Sequence, residues 1–529
     1  MQSMKSPLIF ALLFFSSPML AQTELLHVES PGGKIEFGRN CVGVDDQNGD
    51  NIPDFLVGAN KDKSIGIQTG AVRLYSGVDA SLLHTFYGED EWDQLGSSMG
   101  NFGDLNGDGI TDFGIAASGD DDNGDGCGSV RVVAGGTFQT LFTLYGSSAN
   151  DRFGSTMASL GDISGDGVPD FIIGSRDSSS SASYAGAAQV HASDGALLFR
   201  VEGPNAGDFF GKRVAAAGDI TGDGVPDFFV GANRFDGAAG LNTGAVFLFS
   251  GSDASLVFRI EGEVAGDKMG GNISGGHDLN GDGEPDFLVY APADGPFGIQ
   301  SGRVNAYSST GTKLFSLYGE SSNERFGDGL SFVEDINGDG VSDIAIGSPR
   351  SDIAGTDNGA IRFFSGATQE LLFSHTGTSL GAEQGINVLP IGDINADGLP
   401  EFISGAPLAD SALGYDAGRV IIFSVGNHGP SIWTESLIAG TTASLKLRNA
   451  TPGSVIFGWS LAGGGPISSP WGTASLSMPV RDASAQADAS GYASISNAIP
   501  SSLSGLSVWF QAVDLGTGTL SNGLAQIVQ

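Results

Sequence analysis

Basic residues are scarce in this chain: 24 Lys and Arg stand against 61 Asp and Glu, a formal net charge of −37 over 529 residues. Nucleic acid and anionic membrane surfaces both require a basic footprint, so neither is an expected partner. Cysteine is nearly absent. The only two, Cys41 and Cys127, are too few to frame a fold of this size, and the sequence leaves open whether they pair. The six histidines form no metal-binding or catalytic-triad spacing, and neither an H-E-x-x-H motif nor a phosphate loop occurs. Long apolar runs are missing as well. One short run, from Pro7 to Phe15, falls well below the ~20 residues that span a bilayer. No stretch sustains a helical period.

Glycine, by contrast, is abundant. Its 84 copies are roughly twice the usual share of about 7% and follow no G-X-Y period, which excludes collagen and points to many tight turns. Strong acidity can signal disorder, but 40% hydrophobic residues and 33 Phe put a packed core within reach. The apolar run follows Lys5 and precedes the small-residue site Leu20-Ala21-Gln22. That is the pattern of a signal peptide over residues 1–21, and the mature chain is expected to be secreted or held at the cell surface with no membrane span.

One nonapeptide recurs seven times, beginning at residues 46, 104, 162, 219, 278, 335 and 393, with spacings of 57 to 59 residues. Copies this regular mean one structural unit, repeated. An aromatic or apolar residue followed by Gly precedes six of the copies, as in Phe37-Gly38, Phe153-Gly154, Phe210-Gly211 and Phe326-Gly327, and Gln384-Gly385 stands in that place before the seventh. After it come an apolar run ending in small residues (Phe55 to Ala59, Phe228 to Ala232), a Gly-led alternating run (Gly70 to Gly77, Gly244 to Gly251) and a last apolar run such as Leu82 to Gly88. These read as four short strands per unit. Four antiparallel strands repeated around an axis make an all-β, seven-bladed β-propeller, expected over residues 22–425. The seventh unit lacks a fourth run, and Glu24 to Glu29 matches one without a unit of its own. The N-terminal strand is therefore expected to close blade seven, which removes the open edge of the array. An open solenoid is the runner-up architecture.

The nonapeptide has the form D-x-[NST]-x-D-[GN]-x-x-[DE]. Positions one, three, five and nine present side-chain oxygens, position seven can add a carbonyl, and Gly at position six permits a sharp turn, the logic of an EF-hand loop compressed. The candidate metal ligands are Asp46, Asn48, Asp50 and Asp54 in unit one, Asp104, Asn106, Asp108 and Asp112 in unit two, and Asp162, Ser164, Asp166 and Asp170 in unit three. They continue with Asp219, Thr221, Asp223 and Asp227 in unit four, Asp278, Asn280, Asp282 and Asp286 in unit five, Asp335, Asn337, Asp339 and Asp343 in unit six, and Asp393, Asn395, Asp397 and Glu401 in unit seven. Hard oxygen donors without His or Cys select calcium over zinc or copper, and magnesium's strict octahedral demand makes it the poorer fit. An ion-free Asp/Asn turn is the bland alternative, but seven copies of three carboxylates within nine residues would repel without a cation between them. Up to seven Ca2+, one per blade, are expected. Units two, five and six, with Asn at position three, are the best of the set. Asn51 replaces the turn Gly in unit one, and Glu401 lengthens the last ligand in unit seven.

The Phe-Gly start, the calcium loop and a Gly-Ala-Pro-like end resemble the FG-GAP repeat of integrin-α propellers. Gly405-Ala406-Pro407 matches the last signature outright, while Leu95-Gly96, Met269-Gly270 and Gln384-Gly385 depart from Phe-Gly at its first position. The resemblance covers residues 24 to 425. It implies an extracellular setting, calcium in the loop joining the first two strands of a blade, and adhesion or ligand binding. Extracellular calcium modules have dissociation constants of roughly 0.1–1 mM. At about 1 mM calcium and the tighter limit each site adds roughly 1.4 kcal/mol, and seven add about 10 kcal/mol, which rivals the stability of an ordinary domain.

Residues 426–529 carry few charges and show short alternating runs parted by Gly and Pro, the signature of a small β-sandwich. Trp459, Trp471 and Trp509 there could stack on sugars or fill a core. Two false trails end the reading. Gly96-Ser97-Ser98-Met99-Gly100 fits a G-x-S-x-G elbow but aligns with a blade's first strand rather than a strand-to-helix turn. The acidic stretch Gly119 to Gly126 reads as a solvated loop, with an extra ion site as its alternative. The expected function is therefore adhesion or binding of an extracellular protein or carbohydrate ligand, without catalytic residues. The alternative is an extracellular propeller enzyme acting on polysaccharide or phosphoester.

Overall fold

The computed structural model describes residues 23–293, 298–395, 399–411 and 414–425, and separate stretches between 431 and 527. Gln22–Gly426 form one compact unit, and Asn427–Gln529 fall in a second. Among the described residues every named element is a strand.

The first unit is a seven-bladed β-propeller. Blade one takes β2 (Cys41–Val44), β3 (Asp54–Ala59), β4 (Ala71–Tyr75) and β5 (Leu82–Tyr87). Blade two takes β6 (Leu95–Gly103), β7 (Asp112–Ala117), β8 (Ser129–Val133) and β9 (Thr140–Tyr145). Blade three takes β10 (Thr156–Gly161), β11 (Asp170–Ser175), β12 (Ala187–His191) and β13 (Leu197–Glu202). Blade four takes β14 (Phe210–Gly218), β15 (Asp227–Ala232), β16 (Ala245–Phe249) and β17 (Leu256–Glu261). Blade five takes β18 (Ile273–His277), β19 (Asp286–Ala291), β20 (Arg303–Tyr307) and β21 (Lys313–Tyr318). Blade six takes β22 (Gly329–Val333), β23 (Asp343–Ser348), β24 (Ala360–Phe364) and β25 (Leu371–Thr376). Blade seven joins β26 (Leu389–Gly392), β27 (Glu401–Ala406) and β28 (Arg419–Ser424) to β1 (Thr23–Glu29), which lies antiparallel to β28 with His27 opposite Ile421.

The second strand of every blade is buried along its whole length. Apolar residues therefore run through it without alternation, because both faces meet a neighbouring blade. The Phe-Gly pairs do the joining. Phe37, Phe153, Phe210 and Phe326 are fully buried. Phe210 bridges in parallel to Gly186 at the head of the preceding blade's third strand, and Phe37 does the same to Gly418. The following glycine carries the close approach. Gly38 has φ 86°, and a Cβ there would lie 2.7 Å from Val420 Cγ2, so only glycine fits between blades one and seven. Asn side chains before the first strands add latches from blade to blade. Asn40 Nδ2 donates to Ser97 O (2.8 Å), and Asn387 Nδ2 donates to Arg39 O (2.9 Å) across the closure of the ring.

The second unit is smaller. Its strands include β29 (Ser431–Thr434), β30 (Thr442–Arg448), β31 (Gly453–Ser460), β32 (Ile467–Ser469), β33 (Gly472–Ala474), β34 (Arg481–Ala487), β35 (Ala493–Ala498) and β36 (Ser507–Asp514). They pair as β29-β30-β35 and as β34-β31-β36, all antiparallel. Trp459 is half-buried on β31, Trp509 lies in β36, and Trp471 lies outside the described residues.

Candidate functional site

Each nonapeptide joins the first strand of its blade to the second, so all the loops lie on one face of the disc. The backbone takes a left-handed step at two glycines in each of several loops. Gly107 has φ 78° and Gly109 has φ 88°, with nothing near either Cβ position, so conformation rather than space selects glycine there. Position six was evident in the sequence pattern, but position four was not. In blade one Asn51 takes the left-handed step at φ 65°, as a short polar side chain can.

The folded loop separates its carboxylates by burial. The first Asp is half-buried and accepts backbone N–H groups. Asp162 Oδ1 accepts from Gly165 (2.6 Å) and Asp166 (3.1 Å), and Oδ2 from Gly167 (2.8 Å). The bond from Gly167 leads in holding Asp162 below the usual carboxylate range, with Gly165 and Asp166 adding to it. Position three repeats the device, Asn106 Oδ1 accepting from Asp108 N at 2.9 Å, and position five does so again, Asp108 Oδ1 accepting from Ile110 N at 2.9 Å.

The last acid is different. Asp54, Asp112, Asp170, Asp227, Asp286, Asp343 and Glu401 are all fully buried. In blade two, Asp112 Oδ2 accepts from Leu105 N (2.9 Å), and Oδ1 accepts from Gly135 N (2.8 Å) just beyond the third strand. The residue therefore staples its own loop to the next turn of the blade. Glu401 does the same within its loop: Oε2 accepts from Ile394 N (2.9 Å), and Oε1 accepts from Asn395 Nδ2 (2.7 Å). Its extra methylene thus leaves the position-nine contacts in place. Burial pushes Asp343 up to about 7, the charges of Asp339 and Asp335 add to the rise, and bonds from Ile336 and Gly366 oppose it. Burial likewise takes Asp54 to about 6, with Asp50 and Asp46 adding to it. Asp397 lies outside the described residues.

Among the described residues no three His, Cys, Asp or Glu side chains gather closely enough to hold an ion by themselves. The donor chemistry nonetheless fits a hard divalent cation. Every ligand is oxygen, an ionised carboxylate offers about four lone-pair sites, and a buried carboxylate beside two like charges is stabilised by a cation.

Other sequence features resolve as structure. Ser97 to Gly100 lie within β6, as first-strand residues. Cys41 and Cys127 are free, buried thiols, and burial pushes the Cys41 thiol far up. His84 packs on Phe86 and Phe138, and His375 stacks on Phe423. In the acidic stretch, Asp120 Oδ2 accepts from Ser129 Oγ (2.6 Å) while Asp121 and Asp122 are exposed.

The FG-GAP repeat family matches residues 210–249, 269–309, 326–364 and 387–423, which are the first three strands of blades four to seven. The chain carries FG-GAP repeats. It is similar to integrin alpha-5 of Xenopus laevis, at 32% identity over 232 residues, covering 40% of this chain and 21% of that one. It is also similar to Xenopus laevis integrin alpha-4, at 30% over 222 residues (39% and 20%), and to human integrin alpha-7, at 34% over 162 residues (28% and 13%). The FG-GAP chain thus spans about a fifth or less of the length of these integrin subunits. No helix among the described residues is long and apolar enough to cross a membrane.

Proposed function

We propose that this FG-GAP propeller is an exported, calcium-binding protein that binds an extracellular protein or carbohydrate ligand, as in adhesion, and is not an enzyme. In this reading residues 1–21 direct export, residues 22–425 form the propeller, and residues 426–529 form a separate accessory domain. The observation that carries it is the single acidic loop kept in the same strand junction of all seven blades, on a scaffold similar to integrin alpha chains. In blade two the ion would be held by Asp104, Asn106, Asp108 and Asp112, and in the other blades by the equivalent residues. Bound calcium supplies fixed positive charge and cross-links the loop. The chain supplies the oxygens, the two left-handed steps that curl the loop, and a buried acid already tied to the blade.

A thermal melt of the full chain in 1 mM calcium and again in excess chelator tests this. Seven sites at the tighter extracellular affinity predict a loss of up to about 10 kcal/mol in chelator, read as a large fall in melting temperature. Coincident melts would refute the calcium reading and leave the propeller in place.

A further inference from the structure

A large cavity lies on the axis of the propeller. It encloses about 1120 Å3 and is lined by residues of the first strands of all seven blades. That is just above the ~300–1,000 Å3 of typical ligand pockets. Its charge contradicts the rest of the molecule. The whole chain has a net charge of −37 from 24 basic and 61 acidic residues, yet among the described residues seven of those basic side chains line this one cavity and Asp328 is the only acid that does.

These cations stand where first strands begin or second strands end, which is the face opposite the acidic loops. Four have acidic partners: Arg39 with Glu36 (3.4 Å), Arg176 with Asp177 (3.6 Å), Arg325 with Asp328 (2.6 Å) and Arg350 with Glu383 (3.0 Å). Two of those acids are shared with a further cation, Glu36 with Lys61 and Asp177 with Arg152. Lys212, Arg213 and Lys268 form no ion pair among the described residues, and Arg213 Nε donates only to Gly271 O (3.3 Å). Neighbouring like charges in a partly desolvated cavity repel strongly, and the effect is visible on Lys212. Burial lowers its ammonium to about 7, and Arg213 and Arg176 lower it too, against the pull of Asp328 and Asp177.

An arrangement of this kind costs stability unless something negative enters. Guanidinium and ammonium groups around a low-dielectric cavity focus positive potential into it and supply donors matched to an oxyanion. We propose that the axial cavity is a binding site for a small multivalent oxyanion, seated against Lys212, Arg213 and Lys268 on the face opposite the acidic loops. It is independent of calcium in those loops. Should it fail, the broader reading as a protein- or carbohydrate-binding propeller is untouched.

The test is calorimetric titration of the full chain with sodium sulfate and, separately, sodium succinate, in chloride buffer of fixed ionic strength at pH 6. Saturable binding of one equivalent of either is expected, and which one binds distinguishes sulfate- or phosphate-like groups from carboxylates. The double substitution Lys212→Met/Lys268→Met is expected to weaken binding at least ten-fold without lowering the melting temperature, since it relieves repulsion. Lys313→Met, remote from the cavity, is expected to leave the affinity unchanged. No saturable heat with either anion overturns the proposal. So does equal binding by the double variant, or an equal loss in Lys313→Met.

Discussion

Lys212 shows how a single residue can carry a signal that its own sequence neighbourhood hides. In the chain it follows Phe210-Gly211 and reads as one more polar residue at a strand start. In the folded ring it is half-buried, and Arg213, Arg176, Asp328 and Asp177 are the charged groups that act on it. Its folded value, about 7, lies below its unfolded value, so the unfolded chain binds more protons between pH 7 and the ordinary lysine range near 10.4. The sign follows: from this residue stability rises with pH across that interval, and its full cost is present below pH 7. Urea unfolding at pH 7 and pH 9.5 should show a gain for the parent chain that Lys212→Met lacks. The same titration should weaken oxyanion binding at pH 9.5 relative to pH 6. A parent and variant with parallel pH profiles would place the Lys212 ammonium in ordinary solvent.

At the scale of the element, the loop between first and second strands has two jobs, and its residues divide between them. Asp227 is buried and accepts from Thr221 N (2.8 Å) and Gly251 N (3.0 Å), so it belongs to the fold whether or not an ion binds. Asp223 is exposed and accepts only from Val225 N (3.0 Å), so it matters chiefly to an ion. Asp227→Ala leaves buried N–H groups without acceptors and should cost about 2–4 kcal/mol in chelator as well as in calcium. Asp223→Ala should cost less than about 1 kcal/mol in chelator and should show its effect only in calcium. Denaturation midpoints of both variants in both conditions separate the roles. A large loss for Asp223→Ala in chelator would mean that the loop is a turn held by its own hydrogen bonds. The nonapeptide, the strand order and the Phe-Gly pairs were legible in sequence because each recurs from repeat to repeat, whereas the contact those pairs make with the preceding blade was not. Nor was the double role of position nine. The pattern marks an acid there, but only the fold shows that its oxygens reach the turn after the third strand.

The whole ring adds what no repeat contains. Arg39, Arg176, Lys212, Lys268, Arg325 and Arg350 come from blades one, three, four, five and six and from the segments that join them, and spacing along the chain says nothing of their convergence. Only closure brings them around one axis. Closure joins β1 to β28, Phe37 and Gly38 to Gly418 and Val420, and Asn387 to Arg39, over a shared core of Cys41, Phe55 and Val57 with Ile391 and Ile403. Deleting residues 23–29 removes the outer strand of blade seven and exposes β28 as a hydrogen-bonding edge, with Val420 and Ile422 losing the cover of Val28 and Leu26. Local stability should fall first where the contacts are lost, because blades are coupled to neighbours rather than to the whole. Limited proteolysis of the deletion variant should therefore cut within residues 387–424 well before it cuts within blades two to five, and the exposed edge should drive self-association visible on size exclusion. If the variant stays monomeric and is cut in the same order as the parent, the N-terminal strand is an ornament on blade seven, and the inner strands and their asparagine latches alone close the ring.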